Sequence, residues 1–363
     1  MGILEKIEAI KAEMARTQRN KATERSFGVL KARLAKLVAE LTDPAGGGSK
    51  GGGTGFDVRM AGDARVAQIG MPSVGKSSLL NKLTGTQAEA AAYEFTTLTC
   101  VPGRIQHNGA TIQFLDLPGI IEGAAQGKGR GRQVIATAKT ADLILMMLDA
   151  TKDSKERRML EAELEHVGLR LNTQPPDLTI KIKKGGGISF TTTVPLTHLD
   201  QQLVVSILHD ARVFNADVLI RADCTVDEFI DVLIGNRRYV RCLYCYNKID
   251  SISIEAVDAL AREPNTVVIS VESELNLDYL VERIWKELDL IRVYTKRKGE
   301  LPDFSDGLIL PRGTTVQQAC MRIHKGLLDE FKYALVWGRS AKHTPQIVGL
   351  GHVLDDEDVI FIV

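Results

Sequence analysis

Apolar residues return every three or four positions at Ile3, Ile7, Ile10 and Met14, and again at Phe27, Leu30, Leu34, Leu37 and Leu41 after a polar break. This spacing predicts a helical hairpin over residues 1–45. Beyond it the period changes. The runs at Arg65–Ile69, Thr111–Leu115, Leu143–Asp149, Val240–Tyr246 and Thr266–Ser270 are short and mostly apolar, and helix-like stretches such as Ser78–Leu83 and Leu275–Leu290 lie between or after them. Buried strands alternating with helices predict an α/β core around a parallel sheet. From Val293 the chain turns to short strands, one helix after Gly313-Thr314-Thr315, and more strands through Val359–Val363. That is the pattern of a small β-grasp unit, which by analogy of fold binds partners more often than it catalyses.

Punctuation sets the boundaries. Asp43-Pro44 ends the hairpin, and the seven glycines between Gly46 and Gly55 have the composition of a flexible linker, assigned to 46–62. The core divides into 63–167 and 239–291, because the stretch from Asp116 to Asn247 exceeds two β-α-β steps of ~30 residues each by roughly 70 residues. The surplus, 168–238, reads as a hairpin-like Leu178–Val194, a helix Asp200–His209, a strand Ala216–Ile220 and a second helix. That helix opens on Thr225-Val226-Asp227-Glu228, a capping box. The segment has enough apolar residues for an α+β core of its own. Its role is open between an extra contact surface for protein or RNA and a structural insertion. Residues 292–363 form the last unit.

The candidate chemistry centres on Gly70-Met71-Pro72-Ser73-Val74-Gly75-Lys76-Ser77, directly after the first strand and before a helix. A G-x-x-x-x-G-K-S run curls successive N–H groups and the next helix N-terminus toward an anion, while the lysine reaches the β/γ-phosphates and the serine a Mg²⁺. At average glycine usage, chance would produce the pattern in about one chain of this length per hundred. Asp116-Leu117-Pro118-Gly119 ends a strand, where the carboxylate can hold the Mg²⁺ shell and the Gly119 N–H can sense a γ-phosphate. Tyr93–Thr99 carries Thr96 and Thr97, either of which offers a hydroxyl to the metal. Asn247-Lys248-Ile249-Asp250 follows a further strand. A carboxylate at Asp250 accepts from guanine N1–H and the N2 amine, and a site built for those donors rejects adenine, which lacks them. Lys248 would lie along the base plane, Asn247 would tie this loop to the phosphate loop, and a backbone N–H at the strand end near Ser270 would meet guanine O6. In this order at strand ends, the motifs predict a guanine-nucleotide switch and disfavour an ATPase.

Overall charge changes this picture little. Lys+Arg and Asp+Glu are both 46, so net charge makes no case for nucleic acid or membrane. No apolar run approaches a membrane span and no signal-peptide core opens the chain, so cytoplasm is the expected location. Five cysteines at 100, 224, 242, 245 and 320 are few and odd in number, which predicts no disulfide partner. Cys242 and Cys245 form a C-x-x-C, but no second pair completes a zinc site, and residues three apart in a strand point to opposite faces. They read as core. Local charge is more informative: Arg16, Arg19, Lys21, Arg25, Lys31, Arg33 and Lys36 stand against Glu24 alone. A solvated helix face and an RNA or ribosome contact both fit.

Gly62–Val66, the phosphate loop from Met71 to Ser77, Tyr93–Leu98, Asp116–Ala124, Tyr246–Asp250, Gly349–Asp358 and Met14–Thr23 together resemble the developmentally regulated GTP-binding proteins, a branch of the Obg-like GTPases in the TRAFAC class. The resemblance covers nearly the whole chain. It implies an α/β P-loop GTPase core with an N-terminal helix-turn-helix, an inserted domain like part of ribosomal protein S5, and a C-terminal TGS domain of β-grasp form. It also implies a cytoplasmic GTPase acting with translating ribosomes, with RNA contact left open, and a dedicated regulatory partner of the family. Carried over residue by residue, it implies GTP or GDP contacts at Gly70, Pro72, Ser73, Val74, Gly75, Lys76, Ser77, Ser78, Asn247, Lys248, Asp250, Ser270 and Val271. Mg²⁺ contacts are implied at Ser77, Thr96, Thr97 and Asp116, and support of hydrolysis at Lys76, Thr97, Asp116 and Gly119. Ile120 stands where many small GTPases place a water-orienting Gln, which predicts slow intrinsic turnover completed by a partner. Lys128, Arg130 and Arg132 in the glycine-rich loop that follows offer a cation in cis. Related GTPases use K⁺ held by an Asn where this chain has Ser73, so K⁺ dependence stays open. Two readings of function result: a switch driven by hydrolysis, and a nucleotide-gated scaffold in which hydrolysis is incidental.

Overall fold

The computed structural model of the 363-residue chain describes residues 2–18, 20, 23–42, 62–84, 102–117, 137–166, 168–235, 237–297, 299–305 and 307–363. Helices α1 (Ile3–Arg16) and α2 (Glu24–Thr42) form the hairpin. Its turn is fixed by Asn20 and Thr23, each donating its N–H to the other's side-chain oxygen at 3.1 and 2.9 Å. The core begins with β1 (Ala64–Gly70), α3 (Lys76–Thr84), β2 (Pro102–His107), β3 (Ala110–Asp116), β4 (Leu143–Asp149), α4 (Lys155–His166) and β5 (Leu169–Leu171). Next come β6 (Leu178–Ile182), β7 (Ile188–Thr192), α5 (Gln201–Asp210), β8 (Ala216–Ile220) and α6 (Val226–Ile234). The chain returns to the core through β9 (Arg238–Asn247), α7 (Ile254–Ala261), β10 (Thr266–Val268) and α8 (Leu277–Leu288). It ends in β11 (Leu290–Thr295), β12 (Leu308–Pro311), α9 (Val316–Ile323), β13 (Ala334–Trp337), β14 (Gln346–Val348) and β15 (Asp358–Ile362).

These elements form two compact units. The unit holding the phosphate loop has strand order β10-β9-β4-β1-β3-β2. β1 pairs in parallel with β3 on one side and β4 on the other, setting Gln68 opposite Asp116 and Gly70 opposite Met147. The chain therefore reverses its winding direction at β1, and in open α/β sheets the crevice at such a point takes the ligand. Val66, Ile112, Phe114, Leu143, Leu145, Met147, Leu243 and Val267 line one sheet face, and Leu79, Leu80, Leu280 and Ile284 from α3 and α8 pack with them. Each such side chain contributes about 1.5–3 kcal/mol by leaving water. The antiparallel strand β2 goes beyond the sequence expectation. It reaches β3 through Asn108-Gly109, with φ of 50° and 79°, the doubly left-handed turn that matches strand twist.

The same unit carries a second sheet of order β12-β11-β15-β13-β14. Its helix α9 is capped by Thr315, with Gln318 completing the capping box, and packs Val316, Ala319 and Cys320 onto Ile291, Val293, Val336 and Ile360. Leu290 and Ile309 meet Ala64 and Ala110 in an apolar seam, and an Arg322 Nη2–H donates to Asp63 at 3.2 Å.

In the other unit the structure corrects one expectation. β6 and β7 do not pair as a hairpin, because β8 lies between them, antiparallel to β6 and parallel to β7. β8 buries Ala216, Val218 and Ile220 and gains hydrogen bonds on both edges by taking the centre. The intervening Lys183–Gly187 link is pinned at Asn215, whose carbonyl accepts from the Lys183 N–H at 3.0 Å and whose side chain accepts from the Gly187 N–H at 2.8 Å. Helix α5, capped by Asp200, and α6, capped by the Thr225/Glu228 box, close the core with Leu203, Val204, Ile207 and Phe229.

Helix α2 packs into that same core through Ala32. Gly28 makes the approach possible, since a Cβ there would stand 2.8 Å from Leu203 Cδ1. Around this contact Arg25 donates to Ser206 Oγ at 2.7 Å, Lys31 pairs with Asp227 at 2.6 Å, and Arg33 pairs with Asp210 at 2.7 Å. Three of the basic residues read as a solvated or RNA-facing surface are thus bound to side chains of their own unit. Arg19 and Lys21 lie outside the described residues, as does the glycine-rich stretch expected as a linker.

Cys224, Cys242, Cys245 and Cys320 are buried free thiols. Burial pushes Cys245 well above its ordinary range and Cys224 up to about 11, which makes both inert packing residues. Cys100 falls outside the described residues. Among the described residues, no helix is long and apolar enough to cross a membrane.

Candidate nucleotide site

The phosphate loop lies where β1 gives way to α3. Ser73 is left-handed at φ 64° and Gly75 at φ 96°, the alternation that turns successive N–H groups inward. A Cβ at Gly75 would collide with Asn247 Nδ2, and one at Gly70 with the Met147 carbonyl, so both positions need glycine. Pro72, Ser73, Ser77 and Ser78 are exposed and Val74 is buried. Lys76 Nζ donates to the carbonyls of Gly70 and Met71 at 3.0 and 2.9 Å, curling back over its own loop. Burial lowers its pKa below the ordinary lysine value, against an opposing pull from Asp116. Gln68, fully buried beneath the loop, donates Nε2–H to the Lys76 carbonyl at 3.2 Å.

Ser77, in the first turn of α3, meets Asp116 at the end of β3, its hydroxyl donating to Asp116 Oδ2 at 2.6 Å. Two oxygen donors beside a phosphate loop suit Mg²⁺, a hard cation that keeps several waters and takes one or two protein oxygens plus phosphate oxygens. Thr96, Thr97, Gly119, Ile120, Lys128, Arg130 and Arg132 lie outside the described residues.

The base-recognition groups gather at the ends of β4, β9 and β10. Asn247 is nearly buried and works as a strap: its Nδ2–H donates to the Val74 carbonyl at 2.8 Å and its Oδ1 accepts from the Val271 N–H at 3.0 Å. Asp250 is open to solvent while its Oδ1 accepts from Ser270 Oγ–H at 2.6 Å and its Oδ2 from Ser251 Oγ–H at 3.1 Å. Those bonds, Ser270 first, hold its carboxyl below the usual value, so it is an anion at neutral pH and able to accept from two guanine donors. The Ser270 N–H is already donated to the Leu275 carbonyl. The Val271 N–H is likewise engaged, by Asn247 Oδ1, so both backbone N–H groups expected near guanine O6 already have partners. Lys248 takes a left-handed φ of 69° and its Nζ pairs with Asp149 Oδ2 at 2.6 Å. The sequence places Asp149 only as the end of a buried strand, although it is the first polar residue after six apolar ones, Leu143–Leu148.

A phosphate loop at the reversal point of a parallel sheet, a Ser–Asp pair and an Asn-Lys-x-Asp loop strapped to it define a P-loop GTPase domain, here followed by a TGS domain. Residues 65–181 match the family described as 50S ribosome-binding GTPase, residues 185–290 the C-terminal region of that domain, and residues 291–363 the TGS domain. The chain belongs to the developmentally regulated GTP-binding protein family and is a GTP-binding protein. It is 61% identical over 363 residues to human developmentally-regulated GTP-binding protein 2, with all of both chains covered. It is equally 61% identical over 365 residues to GTP-binding protein 1 of Schizosaccharomyces pombe, covering 100% of this chain and 99% of that one. Among solved structures, a GTP binding protein from Pyrococcus horikoshii aligns with a TM-score of 0.46 at 14% identity, over 82% of this chain and 99% of that one.

Proposed function

We propose that the chain hydrolyses GTP to GDP and phosphate and uses the change as a partner-modulated switch on translating ribosomes in the cytoplasm. The observation that carries this reading is the strap at Asn247, which joins a guanine-selective carboxylate to a phosphate loop and its Ser77–Asp116 pair. A site that reads only the base needs no such pair. The description of the matched family as ribosome-binding supports the ribosomal setting. Working boundaries are 1–45, 46–62, 63–167 with 239–291, 168–238 and 292–363.

Lys76 exchanges its two carbonyl partners for phosphate oxygens, carrying a positive charge to the bond that breaks. Ser77 and Asp116, paired at 2.6 Å, would hold a Mg²⁺, with Thr96 or Thr97 as a further oxygen donor. The chemistry a Mg²⁺ held there would supply is neutralisation of phosphate charge. Asp250 and Lys248 hold the base and keep the phosphates in register with Lys76, while the Gly119 N–H is assigned to sense the γ-phosphate. Ile120 cannot orient water as a glutamine does, so intrinsic turnover is slow and a partner or K⁺ completes the site.

The test is GTP turnover by the full chain alone, with ribosomes, and with its regulatory partner, each in KCl and in NaCl. Stimulation by ribosomes or partner is expected, and a K⁺ requirement separates the cation from a protein group. Turnover that stays at background in every arm would establish the scaffold reading instead, with co-sedimentation on ribosomes depending on nucleotide but not on hydrolysis.

A further inference from the structure

We propose that Asp149 is a positioning residue for guanine-nucleotide binding, fixing the Lys248 side chain along the base. The inference rests on the reading of the Asn247–Asp250 loop as the base site.

Asp149 closes β4 as the last residue of an otherwise apolar buried strand and is itself only 5% exposed. A carboxylate at such depth is costly unless every oxygen is engaged. Here both are. Oδ1 accepts from the Thr151 N–H at 3.0 Å and the Thr151 hydroxyl at 2.7 Å. Oδ2 accepts from Lys248 Nζ at 2.6 Å. Burial alone would push this carboxyl up, but the bonds from Lys248 and Thr151 outweigh it and leave it below its ordinary value. The charge is therefore kept, with Oδ1 held by Thr151 and Oδ2 left to accept from Lys248.

The neighbouring backbone grips the same loop, since the Ala150 N–H donates to the Asn247 carbonyl at 2.9 Å. The end of β4 thus holds two successive residues of the base loop, one through main chain and one through charge. Lys248 needs such a hold. It starts from a left-handed backbone that non-glycine residues adopt at a cost, and its side chain is 40% exposed, with four rotatable bonds of freedom. With Nζ anchored on Asp149, the aliphatic stem is stretched across the loop and presents a fixed apolar edge to a flat ligand. That freedom is lost on folding instead of on binding, which is what preorganisation contributes to affinity.

The test is a double-mutant cycle on the full chain, read as the equilibrium affinity and dissociation rate of a fluorescent GDP. Asp149→Ala should weaken GDP about fiftyfold, within the range for losing a hydrogen bond to a charged group. Asp149→Asn, which keeps the acceptor and the shape, should recover all but about fivefold of it. Lys248→Met keeps the stem but removes the ammonium, and in that background Asp149→Ala should change GDP affinity by less than about twofold. Full-sized effects in both backgrounds would overturn the proposal, because Asp149 would then act without Lys248. So would GDP affinity within twofold of the wild type for Asp149→Ala. Should the alanine variant fail to fold, Asp149→Asn and Asp149→Ser carry the same cycle. Asp250→Asn is run alongside: unchanged GDP affinity there overturns the base-site reading, whereas failure of the Asp149 cycle alone overturns only this inference.

Discussion

The two ends of the nucleotide site are built differently. At the base end, each group is held by a protein partner that can stay in place when ligand arrives: Asn247 by Val74 and Val271, Lys248 by Asp149, Asp250 by Ser270. At the phosphate end, the groups are held by partners that a nucleotide must replace. Lys76 is bonded to two loop carbonyls, and Ser77 to Asp116. On the proposed reading, recognition would be set before binding, while charge neutralisation would proceed by exchange. A fixed base end supplies specificity with little ordering cost. In the proposed switch, the exchangeable phosphate end would let the presence or loss of one phosphate be felt by the rest of the core.

The largest expected effect falls at the base end. Asp250→Asn should weaken GTP about a thousandfold and favour xanthosine triphosphate, because xanthine offers a carbonyl where guanine has its N2 amine. Competition binding reads the ratio. Equal weakening of both nucleotides would mean that Asp250 holds Ser270 and not the base, and the contrast between the ends would fall.

Next comes Lys76→Met, expected to weaken GTP and GDP about a hundredfold whatever the base. Its second readout sharpens the comparison. Burial lowers the Lys76 pKa from 10.5, so between the lowered value and 10.5 the unfolded chain binds this proton more readily than the folded one. Stability should rise with pH through that window, and the destabilising contribution is complete below it. Lys76→Met should abolish that rise and leave the melting temperature of the nucleotide-free protein at neutral pH equal or higher. A lower one would show that the carbonyl contacts stabilise the loop outright.

The smallest effect is on the strap. Asn247→Ala leaves the Val74 carbonyl and the Val271 N–H without their side-chain partner, at about 2 kcal/mol. Roughly 4–8 °C of melting temperature should be lost, measured without nucleotide. A change confined to nucleotide affinity would show that the two ends fold independently.

Much of this arrangement is legible in the sequence because it depends on local rules. The phosphate loop, the strand before it and the Asn-Lys-x-Asp loop are fixed by glycine geometry and by apolar runs of strand length. The α5 and α6 caps follow from Asp200 and Thr225 in the same way. What escaped depends on distant partners. β2 carried a local mark, Asn108-Gly109, but its first residues give no apolar alternation. The pairing of β6 and β7 with β8 is invisible to any rule that joins neighbouring strands, because the central place goes to whichever strand is most apolar on the buried face. Asp149 reads as a strand end until Lys248, remote in sequence, is brought beside it. The basic positions of α2 could not be assigned while Asp210 and Asp227 were unknown as their neighbours.

Those pairings at α2 bear on how the protein would meet a polyanion. Each phosphate neutralised by a cationic side chain releases condensed counterions, and the logarithm of affinity then falls with the logarithm of salt by about 0.9 per contact. Lys31 and Arg33 are already paired with Asp227 and Asp210, so they are withdrawn from that count, whereas Arg25, bonded to the neutral Ser206 hydroxyl, keeps its charge. Any duplex bound through this hairpin should show a salt slope shallower by about two contacts than its row of arginines and lysines suggests.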